Sequence, residues 1–132
     1  METSEIRRLL KKHRHIAVVG LSPKTNRPSH QVAVYLMAAG YAMVPVNPGQ
    51  PEILGKRCYP DLESIPGPIE IVVIFRRAED TLPIVESAIK VGARVIWMQE
   101  GIVNEEAAAM ARKAGLAVIM DRCIKIEHRN LT

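Results

Sequence analysis

Short unbroken apolar runs alternate along this chain with stretches in which apolar residues recur every three or four positions. The runs are Ile16-Ala17-Val18-Val19-Gly20, Ala42 to Val46, Ile71-Val72-Val73-Ile74-Phe75, Val95-Ile96-Trp97-Met98 and Leu116 to Met120. Continuous rather than alternating hydrophobicity predicts strands covered on both faces of a sheet. The helical spacing predicts a first helix over Thr3 to His13, with Ile6, Leu9 and Leu10 on one face. A second spans Ser29 to Ala39, with Gly40 as its left-handed stop. A third spans Asp80 to Val91, carrying Pro83 in its first turn and ended by Gly92. Asn104 caps a fourth, with Glu105 and Glu106 at the end where negative charge is favourable and Gly115 beyond its last turn. The stretch from Asn47 to Glu70 is rich in Pro and Gly. It predicts a short edge strand near Arg57 to Tyr59 and a single helical turn from Asp61 through Ile65.

Strand and helix alternating at this spacing predict an α/β fold: a Rossmann-like doubly wound parallel sheet in three α/β/α layers. Right-handed crossovers and the predicted strands, counted in chain order, suit the order 3-2-1-4-5-6 with the short third strand at one edge. No repeat, low-complexity tract or linker interrupts residues 1–132, so one domain is expected.

Composition narrows the partners. With one Trp, one Phe and three Tyr against 48% hydrophobic residues, the core must be aliphatic. A net charge of +4 and a pI near 9.3 suit an anionic ligand, but the basic residues form no long run and lack the aromatic interleaving of a nucleic-acid stacking platform. No nucleic-acid partner is therefore expected. Cys58 and Cys123 make neither a disulfide framework nor a metal spacing. His13, His15, His30 and His128 form no catalytic pattern, and no catalytic residue is assigned. No segment has the make-up of a signal peptide or a membrane span, which predicts a cytoplasmic protein that does not bind membranes.

In a doubly wound sheet the ligand lies beyond the carboxyl ends of the strands, where the strand order reverses. Here that crevice falls between the first strand and the one ending at Phe75. The loop Gly20-Leu21-Ser22-Pro23-Lys24-Thr25-Asn26-Arg27-Pro28-Ser29 has phosphate chemistry. Gly20 permits a sharp turn off the strand; Ser22, Thr25 and Ser29 offer hydroxyls; Lys24 and Arg27 offer charge. Ser29 stands at a helix N-terminus, which favours anions, although a plain capping role would equally place it there. Arg76 emerges beside Phe75 as a fork for phosphate oxygens. Phe75 offers an apolar face to a base or a pantetheine arm, or packs into the core. Gln99 and Gly101 lie on the next rim.

Two standard signals are missing. Only Gly20 of a G-x-G-x-x-G pattern is present, and no G-K-[ST] follows. The second strand runs into Val46-Asn47-Pro48, where an NAD site would carry an acid for the ribose hydroxyls. NAD is disfavoured; NADP less so, given the arginines.

A set of segments spread in order through the chain carries a family resemblance. They are Ile16-Ala17-Val18-Val19-Gly20-Leu21-Ser22, Arg27-Pro28-Ser29, Val44-Pro45-Val46-Asn47-Pro48, Glu52-Ile53-Leu54-Gly55, Ile74-Phe75-Arg76, Ile96-Trp97-Met98-Gln99-Glu100-Gly101-Ile102 and Met120-Asp121-Arg122-Cys123. The chain resembles the small stand-alone CoA-binding domain proteins, related to the CoA-binding domain of succinyl-CoA synthetase and other acyl-CoA synthetases. The resemblance implies coenzyme A, free or acylated, bound across the crevice. It implies that Ser22, Pro23, Lys24 and Thr25 meet the pyrophosphate, that Arg27, Pro28 and Ser29 extend that anion site, and that Asn47 and Pro48 touch the ligand. Met98, Gln99, Glu100 and Gly101 match the rim segment of the larger enzymes. Those enzymes need further domains for ligation, so a binding module, serving a protein partner or a homodimer in a regulatory role, is expected here. An NADP-linked oxidoreductase or another nucleotide-binding module is the alternative. Cys123 follows the last strand at the same end of the sheet, where it would approach the CoA thiol or else remain an inert buried thiol.

Overall fold

The computed structural model describes residues 1–131. Helix α1 (Thr3–Lys12) leads into strand β1 (His15–Val19), followed by α2 (Pro28–Ala38) and β2 (Ala42–Val46). A two-stranded antiparallel hairpin, β3 (Glu52–Ile53) and β4 (Lys56–Arg57), interrupts the alternation. Then come β5 (Ile71–Ile74), a 3₁₀ turn (Ala78–Asp80), α3 (Thr81–Lys90), β6 (Val95–Met98), α4 (Glu105–Lys113), β7 (Ala117–Ile119) and α5 (Ile124–Arg129).

The main sheet is parallel in the order β2-β1-β5-β6-β7, and the strand order reverses between β1 and β5. The Rossmann-like class is as expected, with one difference at the edge. The third strand predicted beside β2 shrinks to a single parallel bridge between Val46 and Tyr59. Tyr59 donates its amide to the Pro45 carbonyl and accepts from the Asn47 amide, at 3.1 and 2.9 Å. The next rung toward Arg57 would need an N–H on Pro45, and proline has none. Lys56 and Arg57 pair with the hairpin partner instead.

Alternate strand residues feed two cores, which explains the unbroken apolar runs. Ile16, Val18, Ile71, Val73 and Trp97 pack under α1, α2 and α5, against Ile6, Leu10, Val32, Leu36 and Ile124. Ala17, Val72, Ile74, Ile96 and Met98 pack under α3 and α4, where Ala88, Ala107, Ala108 and Ala111 allow close approach. The Trp97 indole N–H is satisfied by the Arg122 carbonyl at 2.8 Å.

Local signals resolve in different ways. Asn104 caps α4, its Oδ1 accepting from the Ala107 amide at 3.0 Å. Asp61 closes a turn rather than a helix: its Oδ1 accepts from the Ser64 amide at 2.8 Å, and Pro66 soon follows. Helix α2 starts at Pro28, a favoured first position for proline, with Arg27 rather than Ser29 at the cap. Helix α5 has no counterpart among the predicted elements. No side chain of its own caps it; the Gln99 Oε1 accepts from the Ile124 amide at 3.0 Å.

Candidate functional site

The site is organised by the approach of two strand ends. Gly20 leaves β1 with φ +86°, a backbone conformation that glycine adopts freely. A Cβ at this position would collide with the Phe75 carbonyl oxygen and sit 3.1 Å from Arg76 Cδ. Only a residue without a side chain lets the first loop pass the end of β5 at this distance.

The loop after Gly20 is pinned from several sides. The Ser22 amide donates to Ser29 Oγ at 3.0 Å, so the Ser29 hydroxyl, buried in the first turn of α2, holds the loop rather than capping the helix. His30 Nδ1 lies 2.9 Å from the Ser22 carbonyl; a carbonyl only accepts, so Nδ1 carries the proton. The Lys24 amide donates to Ser22 Oγ at 3.1 Å. From β2, Asn47 Nδ2 donates to the Leu21 carbonyl at 2.9 Å while its Oδ1 accepts from the Gly49 amide at 2.8 Å. Asn47 therefore acts as a latch between two loops.

Two clefts meet at Gly20. One, of about 410 Å³, is lined by Gly20, Ser22, Lys24, Arg27, Pro28, Ser29 and Phe75. Its lining suits an anion: a helix N-terminus, a serine hydroxyl with an unused proton, and two cations. The other, of about 350 Å³, has apolar walls from Val19, Val46, Pro48, Pro60, Leu62, Pro83 and Ile84, with Arg76, Asp61, Glu79, Asp80 and Ser87 around them. Among the described residues, Lys24, Arg27 and Arg76 make no side-chain hydrogen bond or ion pair. The neighbouring Arg77 does: its Nε contacts Glu79 and Asp80, each at 3.2 Å, and those carboxylates hold its guanidinium pKa above the ordinary arginine value.

The predicted residues thus separate by place. Gly20, Ser22, Lys24, Arg27, Pro28, Ser29, Pro48, Phe75 and Arg76 line the clefts, and Asn47 braces them from behind. Pro23 and Thr25 are exposed on the same loop. Met98, Gln99, Glu100, Gly101 and Cys123 line neither cleft. Met98 is fully buried in the core under α3 and α4. Gln99 is buried and committed to the start of α5. Glu100 and Gly101 are exposed on the rim, where the Gly101 amide donates to Asp121 Oδ1 at 2.7 Å. Cys123 is half-buried at the cap of α5. Burial pushes the Cys58 thiol above its ordinary pKa, which suits packing rather than reaction.

The sequence reading missed one wall of the apolar cleft: Pro60, Asp61, Leu62 and the α3 residues Pro83, Ile84 and Ser87. The Val46–Tyr59 bridge brings residues 60–62 to the site. A proline-rich apolar connection was the available signal.

The fold and the paired clefts define the class: a doubly wound α/β fold whose two clefts open where the strand order reverses, the place at which such sheets take ligands. Within that class, residues 14–129 match the model of the CoA binding domain family, and the chain belongs to that family. It is 45% identical to the Bacillus subtilis (strain 168) protein YneT over 125 residues, 95% of this chain and 93% of that protein. A hypothetical protein from Pyrococcus horikoshii OT3 has a solved structure that superposes with TM-score 0.97 at 42% identity, covering 99% of this chain and 92% of that one. The apo dinucleotide-forming acetyl-coenzyme A synthetase 1 of Ca. Korarchaeum cryptofilum is similar at TM-score 0.74 and 25% identity, over 82% of this chain but 26% of that enzyme. The similarity is thus to about one quarter of the synthetase. Among the described residues, no helix is long and apolar enough to cross a membrane.

Proposed function

We propose that the protein binds coenzyme A, free or acylated, across Gly20. The pyrophosphate lies in the Ser22–Ser29 loop against Lys24 and Arg27, and the adenosine end enters the apolar cleft between Pro48, Leu62 and Ile84. The pantetheine arm runs past Phe75 toward the rim that carries Gln99, Gly101 and Cys123. The observation that carries this reading is the meeting at one glycine of an unpaired cationic cleft and an apolar one. CoA has the same division, a pyrophosphate beside a purine. Family membership supports it independently. The physiological role that fits is a cytoplasmic binding module whose CoA occupancy is sensed by a protein partner or a second copy of the chain.

Calorimetric titration of ligand-stripped protein with CoA, NADP⁺ and ATP tests the reading, with Arg27→Ala in parallel. Micromolar CoA binding is expected, with the two controls much weaker. Losing one charge-assisted contact in the variant should weaken CoA roughly tenfold or more. A folded protein that prefers NADP⁺ would move the assignment to the oxidoreductase alternative. One that binds none of the three would remove the proposal.

A further inference from the structure

Asn47, directly after β2, and Arg76, two residues after β5, divide the chemistry of the ribose position unequally. In doubly wound nucleotide sites an acid after the second strand takes the free ribose hydroxyls, and an arginine nearby accompanies a phosphorylated ribose. Here the position after β2 is Asn47, and both polar atoms of its side chain are committed, to Leu21 and to Gly49. It has little left for a ribose diol. Arg76 is the reverse case. It lines the apolar cleft, crosses over Gly20 and has no partner among the described residues. The cleft's carboxylates do not claim it: Glu79 and Asp80 pair with Arg77, and Asp61 is bonded by the Ser64 amide and hydroxyl at 2.8 and 2.6 Å. The cleft is thus left with one uncommitted guanidinium against an apolar wall, separate from the Lys24 and Arg27 cations of the other cleft. An arginine presents a planar fork that matches a phosphate dianion.

We infer that Arg76 reads a phosphate on the ribose, so that the site selects ribose-phosphorylated adenine nucleotides over their dephosphorylated counterparts. This rests on the proposed binding mode: with the pyrophosphate at the Ser22–Ser29 loop and the base in the apolar cleft, the ribose 3′-phosphate of CoA is the group left for Arg76. The pair that separates the two ideas is CoA and dephospho-CoA, which differ in that phosphate alone.

The experiment is calorimetric titration of both ligands into the wild-type protein and into Arg76→Gln, with thermal unfolding confirming that the variant is folded. The wild type should prefer CoA by roughly ten- to a hundredfold, the worth of a contact to a charged group. Arg76→Gln should weaken CoA by that factor and leave dephospho-CoA unchanged, so the preference collapses. Equal wild-type affinity for the two ligands would overturn the inference while leaving CoA binding intact. An equal loss for both ligands in the variant would overturn it too, assigning Arg76 to the pyrophosphate. If neither ligand binds, the CoA reading falls, and NADP⁺ against NAD⁺ decides: an Arg76-dependent preference for NADP⁺ upholds the ribose-phosphate inference, and no preference overturns both.

Discussion

Gly20 and Phe75 stand so close that a single methyl group on the glycine would strike the Phe75 carbonyl oxygen. The relationship follows from the parallel pairing of β1 with β5, which sets Val19 opposite Ile74 and so brings the next residues of both strands together. Gly20→Ala is expected to destabilise the fold by about 2 kcal/mol or more, from a positive φ and a backbone collision acting together. Urea unfolding measures this. Calorimetry on the surviving folded fraction should show CoA affinity lost as well, since the loop must move to relieve the collision. A variant as stable as wild type would mean that the two strand ends are not in contact.

Asn47→Asp separates two meanings of the residue after β2. If this position served ribose hydroxyls, an acid would improve the binding of NAD⁺. The geometry gives the opposite expectation. A carboxylate cannot donate to the Leu21 carbonyl, so the latch opens at a cost of about 1–2 kcal/mol. Hydrogen exchange should rise at residues 21–25, CoA should bind more weakly, and NAD⁺ should gain nothing. Tighter NAD⁺ binding with an unchanged loop would refute the latch.

The apolar cleft gives a steric test. Ile84 is half-buried on its wall, in the first turns of α3. Ile84→Trp fills the cleft proposed above for the adenine without entering the core. CoA affinity should fall roughly tenfold or more while the melting temperature stays within a few degrees. Unchanged affinity would place the base elsewhere.

The parts of this molecule that were legible in the sequence are those specified by local patterning. Ile71 to Ile74 reads as a strand buried on both faces because alternate residues really do enter different cores. Asn104 reads as a cap because its partner, Ala107, is three residues away. The cleft lined by Ser22, Lys24, Arg27 and Ser29 was legible for the same reason: its hydroxyls and cations lie within ten consecutive residues. The missing third strand turns on Pro45, which belongs to a different strand and withholds one donor. Helix α5 depends on Gln99, 25 residues earlier, to satisfy its first amide. The apolar cleft joins β2, the Pro60–Leu62 turn and α3, which only tertiary structure brings together. Long-range partners, rather than weak local signals, account for these three misses.

Glu70 anchors the end of the sheet away from the clefts and predicts an acid-sensitive stability. Its carboxylate accepts from His13 Nδ1 at 2.9 Å, His15 Nδ1 at 3.1 Å, the Arg14 amide at 3.0 Å and the His15 amide at 3.2 Å. These bonds, His13 foremost, hold its pKa down at about 2 against an ordinary 4.5. A carboxylate depressed in the folded state binds protons more readily in the unfolded chain. Its contribution is therefore complete above the ordinary carboxylate range and is lost as the pH falls from there toward about 2. With 29% of the side chain exposed, solvent screening limits the effect to about 1–2 kcal/mol. Glu70→Gln should be less stable than wild type by that amount at pH 7, and the gap should close between about pH 5 and pH 2. Urea unfolding of both proteins across that range is the measurement. A gap that stays constant down to pH 2 would show that the ionised carboxylate is not what ties α1, β1 and β5 together.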